Sequence, residues 1–244
     1  MEKIKTKLRD LKLAGMVKTI ESRNSYAIEN KASYMDFMEL LIEDEHVNRL
    51  SNSFSKRLNK SKINTQKSLD AFDFNYQPEL NKKQIMDIAS CRFVNENKNI
   101  VLMGKPGVGK THLANAIGLE AIKQGYKVVL LHINDLIEKI NVAKADGSIV
   151  MLMNTLLNAD LLILDELGFK KLPAESIDGF FEVIRRRYEN GSIIITTNRN
   201  FEDWGAVFGD YVMASAIIDR IVHHAIIIKI NGESFRIKNF KNEK

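Results

Sequence analysis

Residues 104–111 read GKPGVGKT, and no other stretch of the chain restricts its fold as strongly. The pattern G-x-x-x-x-G-K-[ST] functions only between a strand and a helix. Gly104, Gly107 and Gly109 allow backbone N–H groups to close around phosphate oxygens, and the N-terminus of the following helix adds a favourable dipole. Lys105, Pro106 and Val108 complete the loop. Lys110 is placed to reach the β- and γ-phosphates of a bound nucleotide, and the Thr111 hydroxyl to ligate Mg²⁺.

The flanks agree with that requirement. NIVLM (99–103) is a short apolar run and THLANAIGLEAIKQG is helical, ending at Gly125. Strands are expected at 127–132, 161–165, 192–198 and 225–230, and helices at about 134–145, 148–158 and 175–190, with two short helical segments before the last strand. The strands are continuous apolar runs, not alternating ones, as in a parallel sheet covered on both faces. Asn231-Gly232 matches a type I′ turn and suggests a closing hairpin. The expected fold class is an α/β P-loop NTPase, a parallel sheet flanked by helices with a small all-helical domain before it.

That domain is expected over 1–68, with the nucleotide-binding domain over 69–244. Ile4, Leu8 and Leu11 recur at helical spacing, as do Tyr34, Phe37, Met38 and Leu41. The Ser/Asn-rich segment from 51 to 68 reads as a linker, and KKQIMDIASCRFVNEN as one helix of the second domain. Cys91, the single cysteine, sits on an apolar face of that helix as a small core residue.

Charge is distributed unevenly. Residues 1–68 carry 14 Lys and Arg against 9 Asp and Glu, which accounts for the whole net charge of +5. The run Arg49–Lys67 has six positive charges and no carboxylate. Lys56, Arg57, Lys60 and Lys62 therefore suit a polyanion, since each cation placed on a phosphate releases a counterion; the same run also reads as a solvated linker. No run of eighteen apolar residues is present, and charges break up every apolar run in MEKIKTKLRDLKLAG, unlike a secretory signal. Together these point to a cytoplasmic protein.

LLILDE (161–166) adds a second chemical element. A buried strand delivers Asp165 to the C-terminal edge of the sheet, where open α/β sheets bind ligands. Asp165 suits Mg²⁺, and Glu166 suits a base that orients an attacking water. TTN (196–198) ends the next strand at the same edge, placing Asn198 to hydrogen-bond a γ-phosphate or that water. A strand between the P-loop strand and LLILDE, together with the adjacent glutamate, favours the ATPase branch of P-loop proteins over GTPases and kinases.

In this order, P-loop, DE and strand-terminal Asn resemble the AAA+ ATPases. LDELGF, RRRYENGSIIITTN, FEDWGAVFGD, AIIDRIVHHA and NGESFRIK, with LKLAGM near the N-terminus, look like the IstB family of transposition helper ATPases, whose relatives include DnaC-type helicase loaders. The resemblance implies ATP held between subunits of a homo-oligomer, with an arginine of one subunit reaching the γ-phosphate of the next. Arg220 in IIDR matches that position best and Arg187 in RRRYE is the second candidate; three adjacent arginines also suit a solvated or DNA-facing helix. Arg236 resembles the second sensor arginine and equally an exposed hairpin charge. Phe72 and Phe74 stand where AAA+ proteins shape the adenine pocket, and equally suit a core. Only fourteen residues follow AIIIKI, too few for the helical lid of most AAA+ members, as in IstB and DnaC relatives.

His223 and His224 have no acidic cluster at metal-ligand spacing beside them in the sequence and read as packing against, or facing, a neighbour. By resemblance, the partners are double-stranded DNA and a cognate transposase, with ATP and Mg²⁺ as cofactors. A DnaC-like helicase loader is the alternative, and an adaptor without DNA contact a third reading.

Overall fold

The apolar runs form five parallel strands in the order β2-β3-β4-β1-β5, where β1 is Asn99–Gly104, β2 Val128–His132, β3 Leu161–Leu167, β4 Ser192–Thr197 and β5 Ala225–Ile230. The structure is a computed structural model that describes residues 1–235. Leu161, Leu162, Ile163 and Leu164 of β3 are all fully buried. A strand covered on both faces gains from apolar residues at every position, which explains the absence of alternation. The register aligns Ile100 with Ile194, Leu131 with Leu164 and His132 with Asp165. All the C-terminal strand ends therefore share one edge of the sheet.

One face is covered by α7 (Ile133–Ala145), α8 (Ile149–Leu157), α9 (Ala174–Arg187), α10 (Trp204–Phe208) and α11 (Tyr211–Val222). Their core joins Leu136, Phe180, Trp204 and Ile217 to Val101, Leu162 and Ile195 of the sheet. The other face is covered by α6 (Lys110–Lys123), with α4 (Lys82–Ala89) against it. A side chain at Gly118 of α6 would approach Ile163 Cδ1 and Ile63 Cδ1 at 2.7 Å, so glycine there permits close packing on the sheet. Local signals start the helices: the Asp210 side chain accepts the N–H groups of Val212 and Met213, and Asn81 accepts that of Gln84.

The chain separates into two compact units, Met1–Lys56 and Arg57–Lys244. The first contains α1 (Glu2–Asp10), α2 (Ala14–Glu29) and most of α3 (Tyr34–Ser61). Here the glycine of LKLAGM has a packing role: a Cβ on Gly15 would lie 2.6 Å from Glu45 Cα. Glu45, 6% exposed, accepts the N–H of Gly15 at 2.6 Å and satisfies an otherwise open donor at the start of α2. Arg49 holds the other oxygen of Glu45, and Arg23 binds Asp44 with two hydrogen bonds.

Several expectations are corrected. The segment read as a linker from residue 51 is helical as far as Ser61, because α3 runs unbroken for 28 residues. The helix expected over KKQIMDIASCRFVNEN is broken at Cys91, which has φ 58° and separates α4 from α5 (Arg92–Asn95). Cys91 is fully buried, and burial pushes its thiol up to about 12, so it is an inert core residue. Asn231-Gly232 makes a bend, but residues 233–235 form no return strand. The rest of the expected hairpin, the lid region and Arg236 lie outside the described residues. Among the described residues no helix is long and apolar enough to cross a membrane.

Candidate nucleotide-binding site

The phosphate loop runs from the end of β1 into α6. Gly107 and Gly109 have φ of 83° and 102°, values that side chains other than glycine tolerate poorly. Space requires glycine too: a Cβ on Gly107 would meet Ser234 Oγ, and one on Gly109 would lie 2.6 Å from Phe72 Cε2. Gly109 is the N-cap of α6 and supplies no side-chain acceptor, so the first-turn amides are left facing the loop. The Lys110 ammonium donates to the carbonyls of Gly104 and Lys105, each at 2.8 Å. It is thus folded against the same loop whose phosphate ligand it would neutralise.

Asp165, near the C-terminal end of β3, is fully buried. Its Oδ1 accepts from Thr111 Oγ1 at 3.0 Å and from the Thr196 hydroxyl. Its Oδ2 is buried without a hydrogen-bond partner. An orphaned carboxylate oxygen beside a threonine hydroxyl is an all-oxygen donor set, which fits a hard cation such as Mg²⁺.

Glu166 follows at a shift in the β3–β4 register between Leu164 and Leu167, with φ 66°. This left-handed conformation is strained for glutamate. It is held by the Glu166 N–H, which donates to Thr196 Oγ1 at 2.9 Å. The irregularity turns the Glu166 side chain outward, where it is 49% exposed, while Asp165 stays inside. Asn198 stands one residue beyond β4, and its Oδ1 is a second buried acceptor without a partner. The structure therefore brings Gly104–Thr111, Asp165, Glu166 and Asn198 to one edge.

Three residues at this edge escaped the sequence reading. Thr196 bridges Asp165 and Glu166, a role that only the alignment of β3 with β4 reveals. His132, at the end of β2, has Nδ1 3.6 Å from Asp165 Oδ2 and 3.8 Å from Glu166 Oε2. KVVLLH does show a polar residue closing an apolar strand, but only the register reveals its neighbours. The third is Phe235, whose N–H donates to the Gly107 carbonyl at 3.0 Å. Tyr76 Oη and Gln77 Nε2 donate to the carbonyls of Ser234 and Glu233, both at 3.1 Å, and fasten that segment over the loop.

A cavity of about 210 Å³ opens beside the loop, lined by Phe72, Tyr76, Gly109, His112 and Phe235 among others. Phe72 packs edge-on against His112, and Tyr76 against Phe235. Phe74 does not line this cavity; it packs against Phe72 and under the Lys82 ammonium. Phe72 is thus the better placed of the two to meet a base.

The arginines separate clearly. Arg187 is 2% exposed and donates to the carbonyls of Leu156, Ala159, Asp160 and Ser192. Burial pushes its pKa down to about 10, which leaves it charged at neutral pH. It clamps the α8–β3 connection to β4 and is not available to a neighbouring subunit, which corrects its candidacy as the arginine acting between subunits. Arg220 is half-buried on α11, with its guanidinium 5.0 Å from the Phe181 ring centre and Nη1 donating to the Ala216 carbonyl. Lys56, Arg57 and Lys60 ride on the last turns of α3, and Lys62 follows just beyond; all but the half-buried Arg57 are exposed.

Known proteins agree with this geometry. Residues 6–243 match the family described as IstB-like ATP binding protein. The ATP-binding protein of insertion sequence IS21 from Pseudomonas aeruginosa is 36% identical over 238 residues, covering 98% of this chain and 90% of that protein. Its counterpart in insertion sequence IS5376 of Geobacillus stearothermophilus is 36% identical over 237 residues, covering 97% and 94%. Among solved structures, the DnaC helicase loader superposes with a TM-score of 0.54 and 26% identity, over 61% of this chain and 86% of that one. The fold is therefore that of the AAA+ P-loop ATPases related to DnaC.

Proposed function

The chain belongs to the IstB-like ATP-binding family, and on that premise we propose that it is an ATP-dependent DNA-binding transposition helper. In this reading it hydrolyses ATP to ADP and phosphate, assembles on and bends duplex DNA, and recruits or stimulates a transposase. The observation that carries the ATPase part is the convergence of the phosphate loop, Asp165, Glu166 and Asn198 at one sheet edge, with buried acceptors on Asp165 and Asn198 left open. The occurrence of its relatives in insertion sequences supports the transposition part.

Each residue then has a task. The amides of Gly104–Thr111 cradle the phosphates, and Lys110 exchanges its two loop carbonyls for phosphate oxygens. Thr111 and Asp165 hold Mg²⁺, which when bound neutralises charge on the β- and γ-phosphates. Glu166 takes a proton from the attacking water, and Asn198 Oδ1 accepts a hydrogen bond from it. Phe72 packs against the base. Arg220 reaches the nucleotide of a neighbouring subunit, and Arg236, which resembles the second sensor arginine, contributes to nucleotide binding. Lys56, Arg57, Lys60 and Lys62 bind DNA phosphates without reading base sequence.

A helicase loader is the second reading, favoured by the likeness to DnaC. Titrating single- and double-stranded DNA with the chain loaded with a non-hydrolysable ATP analogue separates the two. The transposition reading requires duplex preference and an affinity that falls steeply with salt. Indifference to duplex DNA at low ionic strength overturns it.

A further inference from the structure

The opposite edge of the sheet carries a cluster that the nucleotide site does not use. Here the turn between α9 and β4 meets the turn between α11 and β5, because β4 and β5 both flank β1 and run parallel to it. Tyr188 and Glu189 come from the first turn, His223 and His224 from the second. In the sequence the acidic residue nearest the two histidines is Asp219, four positions before His223; the fold supplies another, Glu189, from more than thirty residues away.

The backbones of both turns are fixed. Glu189 has φ 60°, and its carbonyl accepts Asn97 Nδ2 at 2.9 Å. The His224 carbonyl accepts the N–H of Asn99 at 2.9 Å, so both turns are tied to the segment leading into β1. The side chains point outward: one ring nitrogen from each histidine and one carboxylate oxygen from Glu189 lie within 4.8 Å of one another. His224 Nε2 is 3.6 Å from Glu189 Oε1, and the Tyr188 hydroxyl, 2.8 Å from His223 Nδ1, orients that ring.

We propose that Glu189, His223 and His224 form a binding site for a divalent transition-metal ion of the Zn²⁺ type. Two imidazoles with one carboxylate suit a borderline cation and not the all-oxygen chemistry of Mg²⁺ or Ca²⁺. The three donors need to close by roughly an ångström, to the separation set by metal–ligand bonds of about 2.0–2.2 Å. Rotation of exposed side chains supplies that movement without disturbing the anchored backbones. His223 is the C-cap of α11, where the helix dipole also favours a cation. A bound ion joins the end of α11, three residues past Arg220, to the turn after α9, and leaves open positions for water or a further ligand.

A second group, His132 with Asp165 and Glu166, also has donors within 4.8 Å of one another, so the test must separate the two. Tag-free full-length chain carrying His132→Ala is titrated with Zn²⁺ by calorimetry, with thermal unfolding followed in parallel. The expected result is saturation at one ion per chain, with a rise in Tm. Adding His224→Asn or Glu189→Gln, both at exposed positions, then weakens binding by at least about tenfold, the scale of losing even an outer partner of a metal, and removes the rise in Tm. Absence of stoichiometric uptake in the His132→Ala chain overturns the proposal. So does uptake that neither added substitution weakens.

Discussion

Thr196 donates its hydroxyl hydrogen to Asp165 Oδ1 and at the same time accepts the N–H of Glu166. One buried side chain of β4 thereby sets the position of a metal-type carboxylate and stabilises the strained backbone of the neighbouring acid. Thr196→Val keeps the branched shape but leaves the Glu166 N–H without its acceptor. The expected stability loss is about 1–3 kcal/mol in chemical denaturation. Turnover should fall while nucleotide affinity stays near wild type, because the phosphate loop is untouched. An unchanged kcat would show that Thr196 is only a packing residue.

Lys110 and Glu166 separate binding from hydrolysis. Lys110→Ala is expected to abolish nucleotide binding, measured with a fluorescent ATP analogue. Glu166→Gln is expected to bind normally while phosphate release slows roughly 10²–10⁴-fold, the range for loss of a general base. Normal turnover in the glutamine variant would remove Glu166 from its role.

Arg220 is testable by mixing. Chains with Arg220→Ala keep an intact phosphate loop, and chains with Lys110→Ala keep the arginine. Each alone should be inactive, and assemblies of both should regain part of the activity, because an arginine acting between subunits is worth roughly 10³–10⁵ in rate. Activity that never rises above the sum of the separate variants would exclude action between subunits.

Arg187 predicts a different phenotype. Its guanidinium is surrounded by four backbone carbonyls, so Arg187→Ala strands buried acceptors and opens a cavity. The expected loss is about 2–5 kcal/mol in urea denaturation. Arg185→Ala and Arg186→Ala should be nearly silent, since both side chains are about half exposed and share Glu182.

The N-terminal unit should show acid sensitivity. The bidentate hydrogen bonds from Arg23 hold the Asp44 carboxyl at about 2, against an ordinary 3.8. A depressed folded-state pKa contributes stability that is present above pH 3.8 and is lost as the pH falls towards 2. Asp44→Asn should flatten the fall of Tm across that window. Equal slopes in both proteins would show that other carboxylates dominate.

What could be read from the sequence was what is written locally. GKPGVGKT, the strand that carries Asp165-Glu166 near its end and the strand that ends before Asn198 each bring their own turn chemistry, and the all-parallel sheet follows from the unbroken apolar runs. What could not be read depends on register and angle. Nothing in KVVLLH tells which residue will oppose His132, and the bridge from Thr196 exists only once β3 and β4 are aligned. Arg187 was readable in principle: it lies three and four residues after Ile184 and Val183, on the buried face of α9, whereas Arg185 and Arg186 do not. The helical run to Ser61 was obscured by serines and asparagines, which favour loops when isolated but are tolerated on a long helix. The pairing of Glu189 with the two histidines needed the crossing of two distant turns.

The latch of Phe235 onto Gly107 also has a practical side. A dye attached between Asn231 and Phe235 would sit on a strap that is hydrogen-bonded to the phosphate loop at one point and to Tyr76 and Gln77 at two others. Such an attachment would disturb the nucleotide it was meant to observe. Handles for immobilisation belong away from this segment, and an environment-sensitive probe near Ser234 would make the strap itself the reporter of nucleotide occupancy.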